Sequence, residues 1–174
     1  EVCYLTISGR MINVPFRSIE DLKRKREKID NESIKGWYIT PNPTDGKGRK
    51  AENITKREWL VVDIDTVREK NSNATDKELE KAFEVADEIR CFTLFREEYS
   101  AWQDPFIALS GNGAHLLYRC DLENNEEHNN LVKEWYSLLD KRFSTDKAKI
   151  DVSMASIAQL TKLYGTWSRK SPES

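Results

Sequence analysis

The chain has 174 residues, 38% hydrophobic and 33% charged, enough for one domain with a real core and room for two lobes. No run of eighteen apolar residues is present, which excludes a membrane span, and a net charge of −2 does not by itself announce a nucleic-acid partner. Three scattered cysteines, Cys3, Cys91 and Cys120, encode neither a zinc knuckle nor a disulfide framework, and read as reduced thiols of a cytoplasmic protein.

In chain order, VCYLTIS (2–8) alternates and is rich in β-formers, so it predicts a strand. Ser18 caps a helix running to about Ile29, with Ile19, Leu22 and Ile29 on one face. GWYIT (36–40) is a second strand, stopped by PNP, and 43–57 is a loop rich in glycine and lysine. WLVVDID (59–65) reads as a buried strand. Thr75 and Glu78 form a capping box for a helix of roughly twenty residues that turns Leu79, Phe83, Ala86 and Ile89 inward. FIALS and HLLYRC are strands around the turn SGNGAH. A helix over 126–143 places Leu131, Trp135, Leu138 and Leu139 inward, and a mixed segment over 150–167 follows. The order of elements is that of an α/β or α+β domain, with no internal repeat and no linker. The two N-x-T triplets, at Asn53 and Asn73, read as accidental.

Charge is clustered. KRKREK (23–28), KGRKAENITKR (47–57) and the tail around Lys162 and 168–170 are basic, while acidic residues gather in 76–98 and 121–127. A neutral protein can still present one positive groove, although each run is equally well read as a solvated helix face or loop.

The strand 59–65 is apolar until it ends in Asp63-Ile64-Asp65. Strand side chains alternate, so the two carboxylates share a face and repel each other unless a cation lies between them. Hard oxygen donors suit Mg²⁺ or Mn²⁺. Asp151, also preceded by an aliphatic residue, is a third candidate ligand, and three such carboxylates can hold two metal ions for phosphoryl transfer. The competing reading is a strand end whose aspartates cap the next loop.

In SGNGAH, Gly111 and Gly113 are expected to take positive φ and present N–H groups to an anion, with Ser110 and Asn112 beside them. His115 is placed to donate to a phosphate oxygen. The alternative is a plain hairpin with a half-exposed histidine. The other histidine, His128, lies in a polar run and reads as a surface helix residue.

The ordered set D-x-D (Asp63, Asp65), S-G-x-G-x-H (Ser110 to His115) and aliphatic-Asp (Ile150-Asp151) resembles the three motifs of the archaeo-eukaryotic primase superfamily, particularly its primase-polymerase branch. YITPNP (38–43) resembles that branch's Y-x-x-x-N-P segment, and KLYGTWSRK (162–170) resembles its K-L-x-G-T-x-x-R-K tail. The likeness spans roughly 38–170. One departure is Gln159, which stands where the branch often has arginine, and no zinc motif is present.

The resemblance implies a single primase-polymerase catalytic domain over 1–174, a fragment of a larger chain, with an α/β lobe, an RRM-like lobe and the active site in the cleft between them. It implies template-directed addition of nucleotides to a 3′-hydroxyl, acting on single-stranded or primer–template DNA with a dNTP or NTP. Asp63, Asp65 and Asp151 are the implied ligands of two Mg²⁺ or Mn²⁺ ions. Ser110, Asn112, Gly113, His115, Lys162 and Arg169 (or Lys170) are the implied triphosphate contacts, with Asn42 and Thr166 shaping the nucleotide pocket and Tyr38 beside the sugar or in the core. The basic loop 47–57 and the helix 23–28 would follow a template strand, and one or two of Trp37, Trp59, Trp102 and Trp167 would stack bases. A fused or associated helicase, or a CRISPR or mobile-element setting, fits this branch. A D-x-D nucleotide-sugar glycosyltransferase and a catalytically silent nucleic-acid or nucleotide-binding module are the alternatives.

Overall fold

The structure is a computed structural model and describes residues 2–95 and 102–167. The two candidate phosphate contacts in the tail, Arg169 and Lys170, lie outside the described residues.

The larger layer is a four-stranded antiparallel sheet. β4 (Lys56–Thr66) and β6 (Gly113–Glu123) are its long central strands, flanked by β5 (Phe106–Leu109) and β7 (Ala148–Ile150) in the order β5-β6-β4-β7. Helix α2 (Asp76–Leu94) joins β4 to β5, and α3 (Glu126–Phe143) joins β6 to β7. This is a β-α-β-β-α-β unit with both helices on one face. Burial follows the pleat. Leu60, Val62 and Ile64 of β4, with Ala114, Leu116 and Tyr118 of β6, are buried against the helices, whereas Trp59, Asp63 and Asp65 point to the opposite, helix-free face.

The expected capping box opens α2: the Thr75 amide donates to the Glu78 carboxylate at 2.7 Å, and the Glu78 amide donates back to the Thr75 hydroxyl at 3.4 Å. The inward face of α2 is Ala82, Val85, Ala86, Ile89 and Thr93; Leu79 is half-buried and Phe83 packs at the core's edge. On α3 the expectation fails at two positions. Val132, Tyr136, Leu139 and Phe143 are buried, while Leu131 and Leu138 are 57% and 44% exposed. Tyr136 sets the helix rotation, because its hydroxyl donates to the Val61 carbonyl at 2.9 Å across the core.

The smaller layer holds β1 (Val2–Thr6), β2 (Met11–Val14), β3 (Ile34–Ile39) and β8 (Thr161–Lys162), antiparallel in the order β2-β1-β3-β8. The expected single strand 2–8 is one arm of a hairpin whose second arm, β2, is only four residues long and too short to show a period. Helix α1 (Ile19–Glu27) starts at Ser18, whose hydroxyl accepts from the Asp21 amide at 3.2 Å. Val2, Val14, Ile34 and Trp37 form a separate small core with Tyr4, Leu22 and Ile29. Every strand pairing described is antiparallel, so the fold is α+β. Among the described residues no helix is long and apolar enough to cross a membrane, and the three cysteines are free thiols.

Candidate active-site cleft

Antiparallel pairing builds the site. His115 of β6 stands opposite Asp63 of β4, and on the other side Ile64 pairs with Ile150, which sets Asp151 beside Asp63. The Asp151 amide donates to the Asp63 carbonyl at 2.8 Å. His115, Asp63 and Asp151 therefore form a row across three strands on the helix-free face, with Asp65 one pleat further along β4. A cleft of about 230 Å³ opens over this row. Its walls are Asp63, Asp65, Ser110, Asn112, His115 and Asp151 from the larger sheet's side, and Tyr38, Leu160, Thr161 and Lys162 from the smaller sheet and the segment leading into it.

His115 is only 2% exposed. Its Nδ1 lies 2.6 Å from the Tyr164 hydroxyl and 3.4 Å from that of Thr161. Its Nε2 is 3.1 Å from Asp63 Oδ1. That contact is within ion-pairing reach but lacks hydrogen-bond alignment, so both buried atoms remain without a hydrogen-bond partner. A carboxylate has no proton to donate, and two hydroxyls face Nδ1, so the neutral ring carries its proton on Nε2, toward Asp63 and the cleft. Burial pushes the Tyr164 phenol up to about 12, against the lowering effect of its bond to Thr161, so it stays a donor at neutral pH. Burial also raises the Tyr38 phenol above its ordinary value, with the neighbouring Cys3 and Asp63 adding to the effect.

Asp151 has a second task that its motif does not announce. It faces the cleft, and it also caps the short 3₁₀ turn Val152–Ala155, accepting from the Ser153 amide and from the Ser153 hydroxyl, both at 2.9 Å. Gln159 Nε2 donates to the same Ser153 hydroxyl at 3.2 Å. The residue that replaces the expected arginine thus braces the turn that holds Asp151.

Several expectations are corrected. Gly111 has φ of +112°, but Gly113 is not in the left-handed region. It is a glycine because a Cβ there would stand 2.1 Å from the Ile64 carbonyl oxygen. Within the turn the Ser110 amide donates to the Gly113 carbonyl at 3.0 Å. Asn112 lines the cleft, but its side-chain oxygen accepts from the Ala74 amide at 2.8 Å and ties the turn to the start of α2. Asn42 does not line the cleft. It is buried, and its side-chain oxygen accepts from the Glu58 and Trp59 amides at the register shift between β4 and β6, where Glu58 faces two residues of β6, Cys120 and Asp121. Thr166 is also absent from the cleft wall and donates to the Leu163 carbonyl. Lys162 reaches the cleft, with its ammonium donating to the Trp167 carbonyl. Arg57, assigned to a template-following loop, is 2% exposed and donates to Ala155 and Asn129 instead.

No local pattern marks Tyr164, inside the KLYGT match, or Thr161 just before it; only the fold shows that this segment closes over His115. Of the tryptophans offered for stacking, Trp37 is in the small core and Trp102 packs on Tyr118 and Trp135, whereas Trp59 lies on the helix-free face and Trp167 is 63% exposed.

Comparisons of the chain with protein-family models, with curated proteins and with solved structures found no match.

The donor set suits a divalent cation. Asp63 Oδ1 is a buried carboxylate oxygen without a hydrogen-bond partner, and Asp65 and Asp151 share its cleft. As the side chains lie, no three His, Cys, Asp or Glu groups among the described residues are gathered closely enough to ligate one ion.

Proposed function

We propose that this chain is a primase-polymerase catalytic domain of the archaeo-eukaryotic primase kind, which adds nucleotides to a 3′-hydroxyl under direction of a DNA template. The observation that carries the reading is the row His115–Asp63–Asp151, with Asp65 on the same face, opening into a cleft walled on its other side by Tyr38, Thr161 and Lys162. Three sequence motifs far apart in the chain meet there, together with the start of the KLYGT segment.

Asp63, Asp65 and Asp151 are the groups that would hold Mg²⁺ or Mn²⁺. Such ions, when bound, neutralise phosphate charge and favour attack by a hydroxyl on a phosphoryl group. The chain itself supplies position and charge. The Nε2–H of His115, fixed from behind by Tyr164, donates to a phosphate oxygen entering the cleft. Ser110 offers a hydroxyl on the same wall, and Lys162 offers its ammonium across the cleft. Tyr38, paired with Lys162 across β3 and β8, lines the same wall and would lie beside the sugar.

The test is extension of a labelled primer on a template, with dNTPs or NTPs and Mg²⁺ or Mn²⁺, beside the Asp63→Ala/Asp65→Ala double variant. Templated extension that the double variant loses, by at least about a thousandfold, is the expected result. Absence of extension with every nucleotide and metal combination would sink the reading, and metal-dependent use of a nucleotide sugar instead would point to a glycosyltransferase.

A further inference from the structure

Four residues along β4 and β6 from the Asp63–His115 pair, the same helix-free face carries a second feature outside the cleft. Trp59 stands opposite Arg119, whose guanidinium lies 5.1 Å from the centroid of the indole. Phe106, on the neighbouring edge strand β5, brings its ring centroid to 6.0 Å from Trp59 at an interplanar angle of 49°. Phe106 is 68% exposed and the Arg119 side chain 50%, so from the edge strand and a central strand both face solvent over the half-buried Trp59. At about 3.3 Å per residue, the platform lies ~13 Å from the carboxylate row, with no helix intervening on this face.

Cations flank this end. The 43–55 loop carries Lys47, Arg49 and Lys50, and is pinned here by Asn42 on the Glu58 and Trp59 amides and by Asn124 Nδ2 on the Ala51 and Ile54 carbonyls. Arg49 reaches back to Cys3 Sγ at 3.7 Å, on the smaller sheet. Glu58 and Asp121 pair with Arg119 and Lys56, which largely neutralises the rim of the platform itself.

We propose that this face is a binding site for single-stranded nucleic acid, whose bases stack on Trp59, Phe106 and the Arg119 plane while its backbone passes the 43–55 loop. An aromatic ring with a guanidinium over its neighbour matches the π-face common to all bases, and stacking of this kind is sequence-tolerant. Because the rim is neutralised, stacking rather than phosphate charge carries the contact, and the salt dependence is shallow. The strand continues along β4 and β6 into the cleft, where it serves as the template; that last step rests on the function proposed above, and the binding itself does not.

The test is fluorescence-anisotropy titration of a labelled oligodeoxythymidylate, in EDTA and at two salt concentrations. It compares the intact chain with Phe106→Ser, Arg119→Gln and the Asp63→Ala/Asp65→Ala double variant. The expected result is binding that weakens about tenfold in Phe106→Ser and in Arg119→Gln, and is not weakened in the double aspartate variant, which removes two negative charges from the path of the strand. Phe106 is exposed, so its variant keeps the intact melting temperature. Equal binding by the intact chain and both platform variants, or no binding by the intact chain, overturns the proposal. Templated extension with wild-type binding by the platform variants would refute the platform and leave the polymerase reading standing. Platform-dependent binding without extension would do the reverse.

Discussion

His115 is gripped from two sides, and the two sides have different chemistry. Tyr164 behind it is a hydroxyl that stays protonated; Asp63 in front is an acceptor. Tyr164→Phe removes the donor at Nδ1 without changing the ring's packing. A neutral hydrogen bond is worth about 1 kcal/mol, so extension should slow ~5-fold with the KM for nucleotide little changed. Long-range ¹⁵N–¹H spectra offer a direct readout, since the chain has only His115 and His128. Nδ1 should be the unprotonated nitrogen in the intact chain, with its signal altered in the variant; identical spectra and rates would remove Tyr164 from any positioning role. Gly113 poses a steric question rather than a chemical one. Gly113→Ala drives a methyl to within 2.1 Å of a β4 carbonyl, so the central strands must part. The loss should be at least about 2 kcal/mol, seen as a lower midpoint in urea.

Elements owe their orientation to partners more than to their own composition. Helix α3 contains four apolar positions that its sequence places inward, yet only one of the three leucines is fully buried. A helical apolar stripe is wide, and where its centre lies depends on what the helix meets. Here Tyr136 bonds the Val61 carbonyl and Leu139 joins the core, which turns Leu131 and Leu138 outward. Leu139→Ala should therefore cost about 3 kcal/mol, while Leu138→Gln stays within about 0.5 kcal/mol of the intact chain, compared by chemical denaturation. Strand β4 was easier to read. Its run of aliphatic residues is interrupted only on one side of the pleat, so the carboxylates had to leave the core. Asn42 shows the limit of such reading, because its work is to satisfy two amides at an irregularity that no local pattern announces.

At the scale of the molecule, two sheets with separate cores meet at a polar cleft, and titratable groups set how stability changes with pH. Asp104 is held below its ordinary value by the Arg90 guanidinium, Glu78 by the Thr75 amide and hydroxyl, and Asp121 by the Lys56 ammonium. For groups lowered in this way, stability is present above the unfolded value, about 4, and is lost as pH falls through the folded one. All three are exposed, so the acid limb is shallow. Burial raises Tyr118 to about 12 and Cys120 to about 11, and raises Tyr136 as well. For groups raised in this way, stability is present below the unfolded values, about 8.5 for the thiol and 10 for the phenols, and is lost above them. Melting temperature should thus be flat between about pH 5 and 8 and fall more steeply on the alkaline side, as followed by circular dichroism. A flat alkaline limb to about pH 11 would contradict the burial of these phenols.

The antiparallel pairing of every described strand chose α+β over α/β, which the order of elements leaves open; the residues alone sufficed for a mixed α and β domain, for strands covering 36–39 and 59–65, for the capping box of α2 and for the face shared by Asp63 and Asp65. These follow from period, propensity and side-chain alternation, all of which act over a few residues. Motifs, and not any local pattern, offered Ser110, His115, Asp151 and Lys162 as candidates, and all four line one cleft. Only the assembled fold shows that His115, Asp63 and Asp151 form one row, that Tyr164 closes behind the histidine, that Asn42 bonds the Glu58 and Trp59 amides and that Arg57 bonds Ala155 and Asn129. Those depend on strand register and on contacts between segments up to about a hundred residues apart, as Arg57 and Ala155 are. A cross-strand neighbour is chosen by hydrogen-bond register and by the burial of the opposite face, and neither is written in the residues on one strand alone.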